Sequence, residues 1–336
     1  MSKRLRGLIS KVAKYGLLAF LLSVIGFSLT KVNGANKATV VDYYGKMQAN
    51  GNRINGSKIK SPMQVTGMSF FWSNWSDSFY NEASVNRMVD EFQVEIVRAA
   101  YGIEDGGNPY NGSNDDQIER VVDAAINKGI YVIIDWHSHG AHQNVDAAKA
   151  FFERMAQKYG EYDNVIFELY NEPMNVDWDT VKGYAEVVIP VIRQYSDNLI
   201  VVGTPTWSQD VDHVINNQIQ DSNVAYALHF YAGTHKASLR NKADLALNAG
   251  IPLFVTEWGS VNADGNGGRD ENSTLEWINW MNQNEISSCN WSIFDKPETS
   301  SIYQPNSGGN GGLSDTGLFI KNLIINNTKD APWRSR

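Results

Sequence analysis

Short runs of β-branched and aromatic residues alternate along the chain with amphipathic stretches, each pair occupying roughly 25 to 35 residues. Stop signals such as Lys128-Gly129 and Ala249-Gly250 follow two of the amphipathic stretches. The apolar runs predict eight strands, at residues 64–72, 94–102, 130–137, 164–172, 199–205, 223–231, 252–258 and 287–295. The amphipathic stretches predict helices at residues 115–128, 145–159, 180–195, 239–249 and 274–283.

Several predicted strands are apolar almost throughout, as at residues 131–134 and 199–202, which is typical of parallel sheets buried on both faces. Regular alternation of strand and helix indicates the α/β class. Eight such units predict a single closed (β/α)8 TIM barrel. Turn signals within residues 43–59 predict an N-terminal β-hairpin that closes the barrel floor. No dinucleotide-binding or P-loop glycine motif follows any predicted strand.

The N-terminal segment has the pattern of a secretory signal peptide. Basic residues from Lys3 to Lys14 precede an uncharged apolar run at residues 15–30, and small residues end at Gly34. We therefore expect residues 1–34 to be removed and residues 35–336 to form one domain, secreted to the extracellular or periplasmic space. An uncleaved membrane anchor is the alternative, although the run is shorter than the roughly 20 residues that span a bilayer.

Composition excludes several classes of protein. Of the 336 residues 42% are hydrophobic, which is enough for a large core, and a single cysteine, Cys289, permits no intramolecular disulfide. Residues 1–34 contain six of the 29 Lys and Arg and none of the 37 Asp and Glu, so the remainder carries a formal charge of −14. Such an acidic body would repel a phosphate backbone, which argues against a nucleic-acid partner.

Polar residues are concentrated at the carboxyl ends of the predicted strands, where barrel enzymes carry their catalytic groups. The two glutamates among them, Glu172 and Glu257, suit glycoside hydrolysis, which needs one acid and one nucleophile or base. Glu168 lies four residues before Glu172, roughly 13 Å deeper in an extended strand, and is expected to be a structural carboxylate. The strand-end set is Arg98, Asp135, His137, Asn171, Glu172, His229, Tyr231, Glu257 and Trp291.

Aromatic residues add a second signal at the same ends. Flat indole rings around an open mouth would stack against the apolar faces of sugar rings. A histidine cluster, His137, His139 and His142, lacks the spacing of a helical zinc motif, so no metal site is predicted. The tryptophans at or just after predicted strand ends are Trp72, Trp75, Trp136, Trp178, Trp207, Trp258 and Trp291.

These residues resemble one known family in order along about 230 residues. Residues 165–173 (Val-Ile-Phe-Glu-Leu-Tyr-Asn-Glu-Pro) resemble the acid/base signature of glycoside hydrolase family 5, and residues 255–259 (Val-Thr-Glu-Trp-Gly) resemble its nucleophile signature. The sequence is most similar to the bacterial-type endo-β-1,4-glucanases, or cellulases, of that family. Further matches lie at residues 67–74, 97–100, 135–137, 228–235 and 291–292.

The resemblance implies a role for each matched catalytic residue. Glu172 would be the acid/base, with its pKa raised by the negative charge of Glu257. Glu257 would be the nucleophile, kept ionised by Arg98 and Tyr231. Asn171 would bond the sugar 2-hydroxyl, and His137 and His229 would hold the reacting ring and the carboxylates in register.

The resemblance also implies a set of substrate-binding residues. Trp291 would be the platform at the cleavage site, while Trp72 and Trp207 would stack on neighbouring glucosyl units. Lys296 and Glu298 match polar binders on the non-reducing side.

The implied protein is a secreted, monomeric, retaining endoglucanase that cuts internal β-1,4-glucosidic bonds of cellulose and related β-glucans without a metal or organic cofactor. Its two carboxyl groups are expected about 5 Å apart, with a covalent glycosyl-enzyme intermediate. Two alternatives remain open at this point. The same mechanism could act on mannan or xyloglucan, or the barrel could be a non-catalytic carbohydrate-binding protein.

Overall fold

Eight parallel strands form a closed barrel in the part of the chain that the computed structural model describes, residues 38–104 and 114–335. The barrel closes where its last strand, Ser288–Ile293, pairs with its first, Thr66–Phe70, confirming the predicted (β/α)8 architecture. The hairpin strands are β1 (Met47–Asn50) and β2 (Arg53–Gly56), and the barrel strands are β3 (Thr66–Phe70), β4 (Ile96–Gly102), β5 (Tyr131–His137), β6 (Val165–Glu168), β7 (Ile200–Val202), β8 (Val224–Tyr231), β9 (Leu253–Gly259) and β10 (Ser288–Ile293).

Helices surround the barrel and pack their apolar faces against it. In the helix Asp115–Lys128, acidic residues occupy the first turn and a lysine the last, which complements the helix dipole. That helix ends at Gly129, whose φ of 66° is a conformation that favours glycine. The α-helices are α1 (Val40–Tyr44), α2 (Glu82–Arg87), α3 (Asp115–Lys128), α4 (Val145–Tyr159), α5 (Trp178–Arg193), α6 (Ala237–Asn248), α7 (Glu271–Asn284) and α8 (Asp315–Thr328).

Shorter helical segments connect several of these elements. A single wide turn of π-helix, Met88–Phe92, continues α2, and one turn, Pro205–Ser208, follows β7. Segments of 3-10 helix lie at Asp77–Phe79, Ala141–Gln143, Val211–Val214 and Pro332–Ser335.

Most predicted element bounds agree with the structure to within about three residues. The helix predicted at residues 180–195 begins earlier, because the side chain of Asp177 accepts a hydrogen bond from the Thr180 amide. Asp270 caps α7 in the same way, through the Ser273 amide. Helices α1, α2 and α8 were not predicted. Helix α2 is short and passes directly into the π-helical turn, so it carries no long amphipathic repeat.

The hairpin lies at the amino ends of the barrel strands, as predicted. The side chain of Asn223, just before β8, accepts a hydrogen bond from the Ala49 amide and donates one to the Met47 carbonyl. Tyr131, the first residue of β5, donates its hydroxyl to the Gly45 carbonyl. The floor of the barrel is therefore closed, and the carboxyl ends of the strands form its open mouth.

Every residue of β4, β5, β8, β9 and β10 is buried, which explains their continuous apolar runs. Residues from Ala38 onward form one compact unit. The predicted signal peptide, residues 1–34, lies outside the described residues. Among the described residues, no helix is both long and apolar enough to cross a bilayer.

Candidate active site

A buried arginine organises the mouth of the barrel. Arg98 on β4 is fully buried, and its guanidinium contacts Asp135 at 2.9 Å, Glu168 at 2.7 Å and Glu257 at 2.9 Å. It also donates to the Asn171 side-chain oxygen at 2.7 Å. Side chains from β5, β6, β9 and the segment after β6 therefore contact one guanidinium group. Its positive charge offsets much of the free-energy cost of burying three carboxyl groups.

Three acids around one cation leave an excess of negative charge. Burial raises the pKa of Asp135 well above its usual range, more than Arg98 lowers it. The Asp135 carboxylate lies 2.6 Å from Nδ1 of His137, and burial together with Arg98 lowers the pKa of that histidine well below 6.5. The imidazole of His137 is therefore neutral. One proton lies between its Nδ1 and the Asp135 carboxyl group, and it forms their hydrogen bond.

Glu257, on β9, is held by two donors. Arg98 donates to one carboxylate oxygen, and the Tyr231 hydroxyl donates to the other at 2.7 Å. Burial and the negative charge of Glu172 raise the pKa of Glu257, against the opposing effects of His229, Arg98 and Tyr231. Both oxygens are fixed in space, so the carboxylate cannot rotate freely.

Glu172 follows β6 and is held by imidazoles. Nδ1 of His229 lies 2.9 Å from one carboxylate oxygen, and Nε2 of His139 lies 3.4 Å from the other. Burial would raise the pKa of Glu172, but the hydrogen bonds from His139 and His229 outweigh it and lower the pKa to about 2. The sequence-based expectation of a raised pKa is therefore wrong, because it left out both imidazoles.

His229 carries a proton on each ring nitrogen. Thr256 donates its single hydroxyl proton to Glu168, so it can only accept from Nε2 of His229, 2.8 Å away. Nδ1 faces the ionised Glu172 and must also donate. Burial would lower the pKa of His229, but the nearby carboxylates of Glu168 and Glu172 raise it to about 9.

Glu168 is buried and hydrogen-bonded, as expected, but it lies nearer the mouth than a fully extended strand would place it. The imidazole of His229 spans the gap, with Nε2 3.9 Å from Glu168 and Nδ1 2.9 Å from Glu172. The estimate of roughly 13 Å was wrong for the two carboxyl groups, because both lie beside the nitrogens of one imidazole ring, and β6 itself ends at Glu168.

The two strand-end carboxylates face each other across the mouth. One oxygen each of Glu172 and Glu257 and one nitrogen of His229 all lie within 4.8 Å of one another. Groups of this kind can hold a metal ion, although here the same atoms are hydrogen-bonded to neighbouring side chains. The two acids and the imidazole therefore form one compact cluster at the mouth.

Three connected cavities form a groove across the mouth. The central cavity, about 230 Å3, contains both Glu172 and Glu257. A second, about 510 Å3, shares both acids and is lined by Trp207. The third, about 470 Å3, shares Trp72 with the central cavity and is also lined by Trp75, which does not line the central cavity. The carboxylates thus lie part-way along an extended groove.

The predicted platforms differ in how much ring they expose. Trp207 is 41% exposed, whereas Trp291 is buried with its ring stacked parallel to His137, 5.3 Å between centroids. Trp72 is 8% exposed and meets His137 edge-on, while Trp75, in the same cavity, is 53% exposed. Trp75 therefore offers the larger free face. The remaining tryptophans of the predicted set, which lie in the core, are Trp136, Trp178 and Trp258.

A strained turn carries Trp207. Three consecutive residues, Thr206, Trp207 and Ser208, have φ values of 57°, 55° and 57°. Left-handed backbone costs roughly 1–2 kcal/mol for each non-glycine residue, so other contacts must hold it. Ser208 donates to the Asn171 carbonyl at 2.7 Å, and Thr206 donates to Asp210 at 2.6 Å.

Lys296 and Glu298 form an ion pair that lines the central cavity. Their side chains are 48% and 9% exposed, so the lysine remains accessible from the groove. Among the groove residues outside the predicted set of site residues are His139 and Trp75. The sequence feature that could have identified both residues is their position just after the end of a predicted strand.

Comparison with known proteins places these residues in a family. The family model described as Cellulase (glycosyl hydrolase family 5) matches residues 47–297. The chain belongs to glycosyl hydrolase family 5. Its match includes both strand-end acids and the buried arginine, so the family 5 chain is a glycoside hydrolase with the barrel expected from its sequence.

Named relatives and solved structures support the same family membership. Endoglucanase Z of Dickeya dadantii is 49% identical over 286 residues, covering 83% of this chain and 66% of the relative. An endoglucanase of Clostridium saccharobutylicum is 39% identical, covering 91% and 71%. The catalytic domain of a Thermobifida fusca endoglucanase has a TM-score of 0.81 and 31% identity, covering 85% of this chain and 99% of that domain. This family 5 chain thus spans about two thirds of the length of the curated relatives.

Proposed function

We propose that the protein is a retaining endoglucanase that hydrolyses internal β-1,4-glucosidic bonds of cellulose and related β-glucans by double displacement. The separation of Glu172 and Glu257, with oxygens within 4.8 Å, carries this proposal. Retaining enzymes hold their carboxyl groups about 5–5.5 Å apart, whereas inverting enzymes need about 6.5–9.5 Å to admit a water molecule.

Glu257 is the nucleophile in this proposal. Arg98 and Tyr231 hold both of its oxygens, so one lone pair can be aimed at the anomeric carbon without a rotational search. Its oxygen forms a bond to that carbon as the glycosidic bond breaks, giving a covalent glycosyl-enzyme. Water then breaks this ester bond and restores the carboxylate.

Glu172 is the acid/base, and His229 supplies its proton in the resting protein. The imidazolium donates across 2.9 Å to Glu172, so transfer along that hydrogen bond gives a neutral acid and a neutral histidine. The acid protonates the leaving oxygen in the first step. In the second step Glu172 takes a proton from the attacking water.

Substrate binding follows from the groove. Arg98 donates to the side-chain oxygen of Asn171, which leaves the amide NH2 of Asn171 to donate to a sugar hydroxyl. Trp291 forms the wall beside the reacting ring, and Trp207 stacks beyond Glu172. Trp75 stacks at the opposite end, a role that the exposed faces favour over Trp72. The ion pair of Lys296 and Glu298 contacts hydroxyls between these ends.

The choice of β-glucan rests on named relatives. The curated relatives are named endoglucanases, and the Thermobifida fusca catalytic domain has also been solved in complex with cellotetraose. The proposal extends to secretion as a monomer after removal of residues 1–34. N-terminal sequencing of the exported protein and its mass in solution test those two points.

The decisive experiment follows the first product by proton NMR. Hydrolysis of cellopentaose should release β-configured product before mutarotation, and barley glucan should be cut faster than mannan or xyloglucan. An α-configured first product would reject the retaining assignment. Binding of cellopentaose without cleavage would reject the enzyme assignment itself.

A further inference from the structure

A second histidine reaches the acid/base carboxyl from a different side of the groove. His139 lies two residues after the end of β5, and its Nε2 is 3.4 Å from Glu172. Its ring also meets that of Trp72, with centroids 5.3 Å apart. No motif in the family resemblance includes this residue, and the catalytic steps above do not use it.

The loop that carries His139 is fixed by a carboxylate behind it. Glu104 accepts hydrogen bonds from the His139 amide at 2.8 Å, the Gly140 amide at 3.1 Å and the Ser138 hydroxyl. The Tyr170 hydroxyl donates to the His139 carbonyl at 3.1 Å. Hydrogen bonds to the amide and to the carbonyl of His139 therefore hold its imidazole beside Glu172.

We propose that His139 is a positioning residue for the acid/base Glu172, with Glu104 as the anchor that holds it in place. The inference rests on the proposed function and extends it. His229 fixes one oxygen of Glu172, and His139 fixes the other, so the proton of the acid is confined to one orientation. Loss of His139 frees that second oxygen.

His139 also favours the ionised form of Glu172, because it donates to the carboxylate. Its removal should make the acid hold its proton to higher pH. Other ionisable or charged groups also act on Glu172 from the elements packed around it, and a change confined to His139 leaves them in place. Among the described residues these groups include Arg98, Asp135, Glu168, His229, Tyr231, His235 and Glu257.

The test compares pH profiles of kcat/KM on a soluble β-glucan. His139→Ala should move the alkaline limb upward by about 0.5–1 pH unit, since that limb reports loss of the one proton that Glu172 and His229 share and a more basic Glu172 helps the pair to retain it. His139→Gln, whose amide nitrogen can occupy the Nε2 position, should restore most of the original limb. Glu104→Gln, which keeps one acceptor oxygen, should give an intermediate shift.

The matched control is His142→Asn on the same loop. His142 contacts Tyr170 through Nδ1 at 2.8 Å, and asparagine can keep that contact. We expect its profile to match the parent. A uniform loss of kcat/KM in His139→Ala, with the alkaline limb unmoved, would overturn the proposal and leave a structural role for the loop.

A second measurement does not depend on activity. Titration of the Glu172 carboxyl carbon by NMR, assigned through Glu172→Gln, should show a higher pKa in His139→Ala and a near-parental one in His139→Gln. An unchanged titration would refute the role of His139 even if glucan is cleaved with retention. If the protein cleaves no glucan, the proposed function fails while the titration still decides the contact.

Discussion

The two acids that face each other across the groove lie in different surroundings. Glu257 is bound by Arg98 and Tyr231, whereas Glu172 is bound by His139 and His229. A guanidinium keeps its charge at every accessible pH, and burial raises the pKa of Tyr231 well above 10. The donors around Glu257 are therefore permanent, while those around Glu172 can themselves gain or lose protons.

This difference matches the work that each acid has in the proposed mechanism. A nucleophile must be ionised and aimed at each turnover, which suits donors that never titrate. An acid/base must give up a proton and take it back, which suits a neighbour such as His229 that can exchange one. The sequence showed two glutamates at strand ends, but their partners distinguish the roles.

The largest predicted effect separates the acids directly. Glu257→Gln should lower kcat by about 10⁴-fold or more on both β-glucan and dinitrophenyl β-cellobioside, since no covalent intermediate can form. Glu172→Gln should lose about 10²–10⁴-fold on the glucan. It should retain a burst of dinitrophenolate, because that leaving group needs no acid. Equal losses on both substrates for the two variants would remove the distinction.

The second-largest predicted effect is a loss of stability when the permanent positive charge of Arg98 is removed. Arg98→Met leaves three buried acids without their cation and should lower the free energy of unfolding by about 3–5 kcal/mol. Urea denaturation measures this. The control is Lys158→Met, which breaks a half-exposed pair with Glu119 and should change stability by about 1 kcal/mol or less.

Loss of the second permanent donor should have a smaller effect. Tyr231→Phe keeps the ring but removes the 2.7 Å hydrogen bond to Glu257, and we expect kcat to fall about 10–100-fold. Because that bond favours the ionised acid, the acidic limb of kcat/KM should also move to higher pH. A change in the alkaline limb alone would contradict the assignment of Tyr231 to the nucleophile.

The smallest effect lies at the end of the groove. Trp75→Ala removes an exposed ring about two cavities away from Trp207, and should lower kcat/KM on cellohexaose by roughly 5–10-fold through lost stacking. An aryl cellobioside too short to reach Trp75 should be cleaved at the parental rate. Equal losses on both substrates would indicate damage to the fold.

Periodicity predicted the barrel, because strands buried on both faces have continuous apolar runs. The bounds of α3 and α4 agree with the structure, since clear polar residues and stop signals flank them. The positions of Glu172 and Glu257 at strand ends also came from this pattern. Both predictions depend on local sequence, which determines whether a segment is a strand or a helix and at which end of the barrel a residue lies.

Other features depended on contacts between distant segments. The exposure of Trp75 and burial of Trp72 are set by how the loop after β3 folds over His137. The approach of His139 to Glu172 depends on Glu104, 35 residues earlier in the chain. The depth of Glu168 depended on where β6 ends, which a pattern of apolar residues does not mark.

Because Arg98 contacts acids from three separate strands, one side chain serves both the folded barrel and the proposed mechanism. A laboratory library selected for heat resistance would retain it, and so would a library selected for sugar release. Directed evolution therefore has little freedom at the barrel centre. Improvement of this protein should come from the outer helices and from the two ends of the groove, where substitutions can accumulate independently.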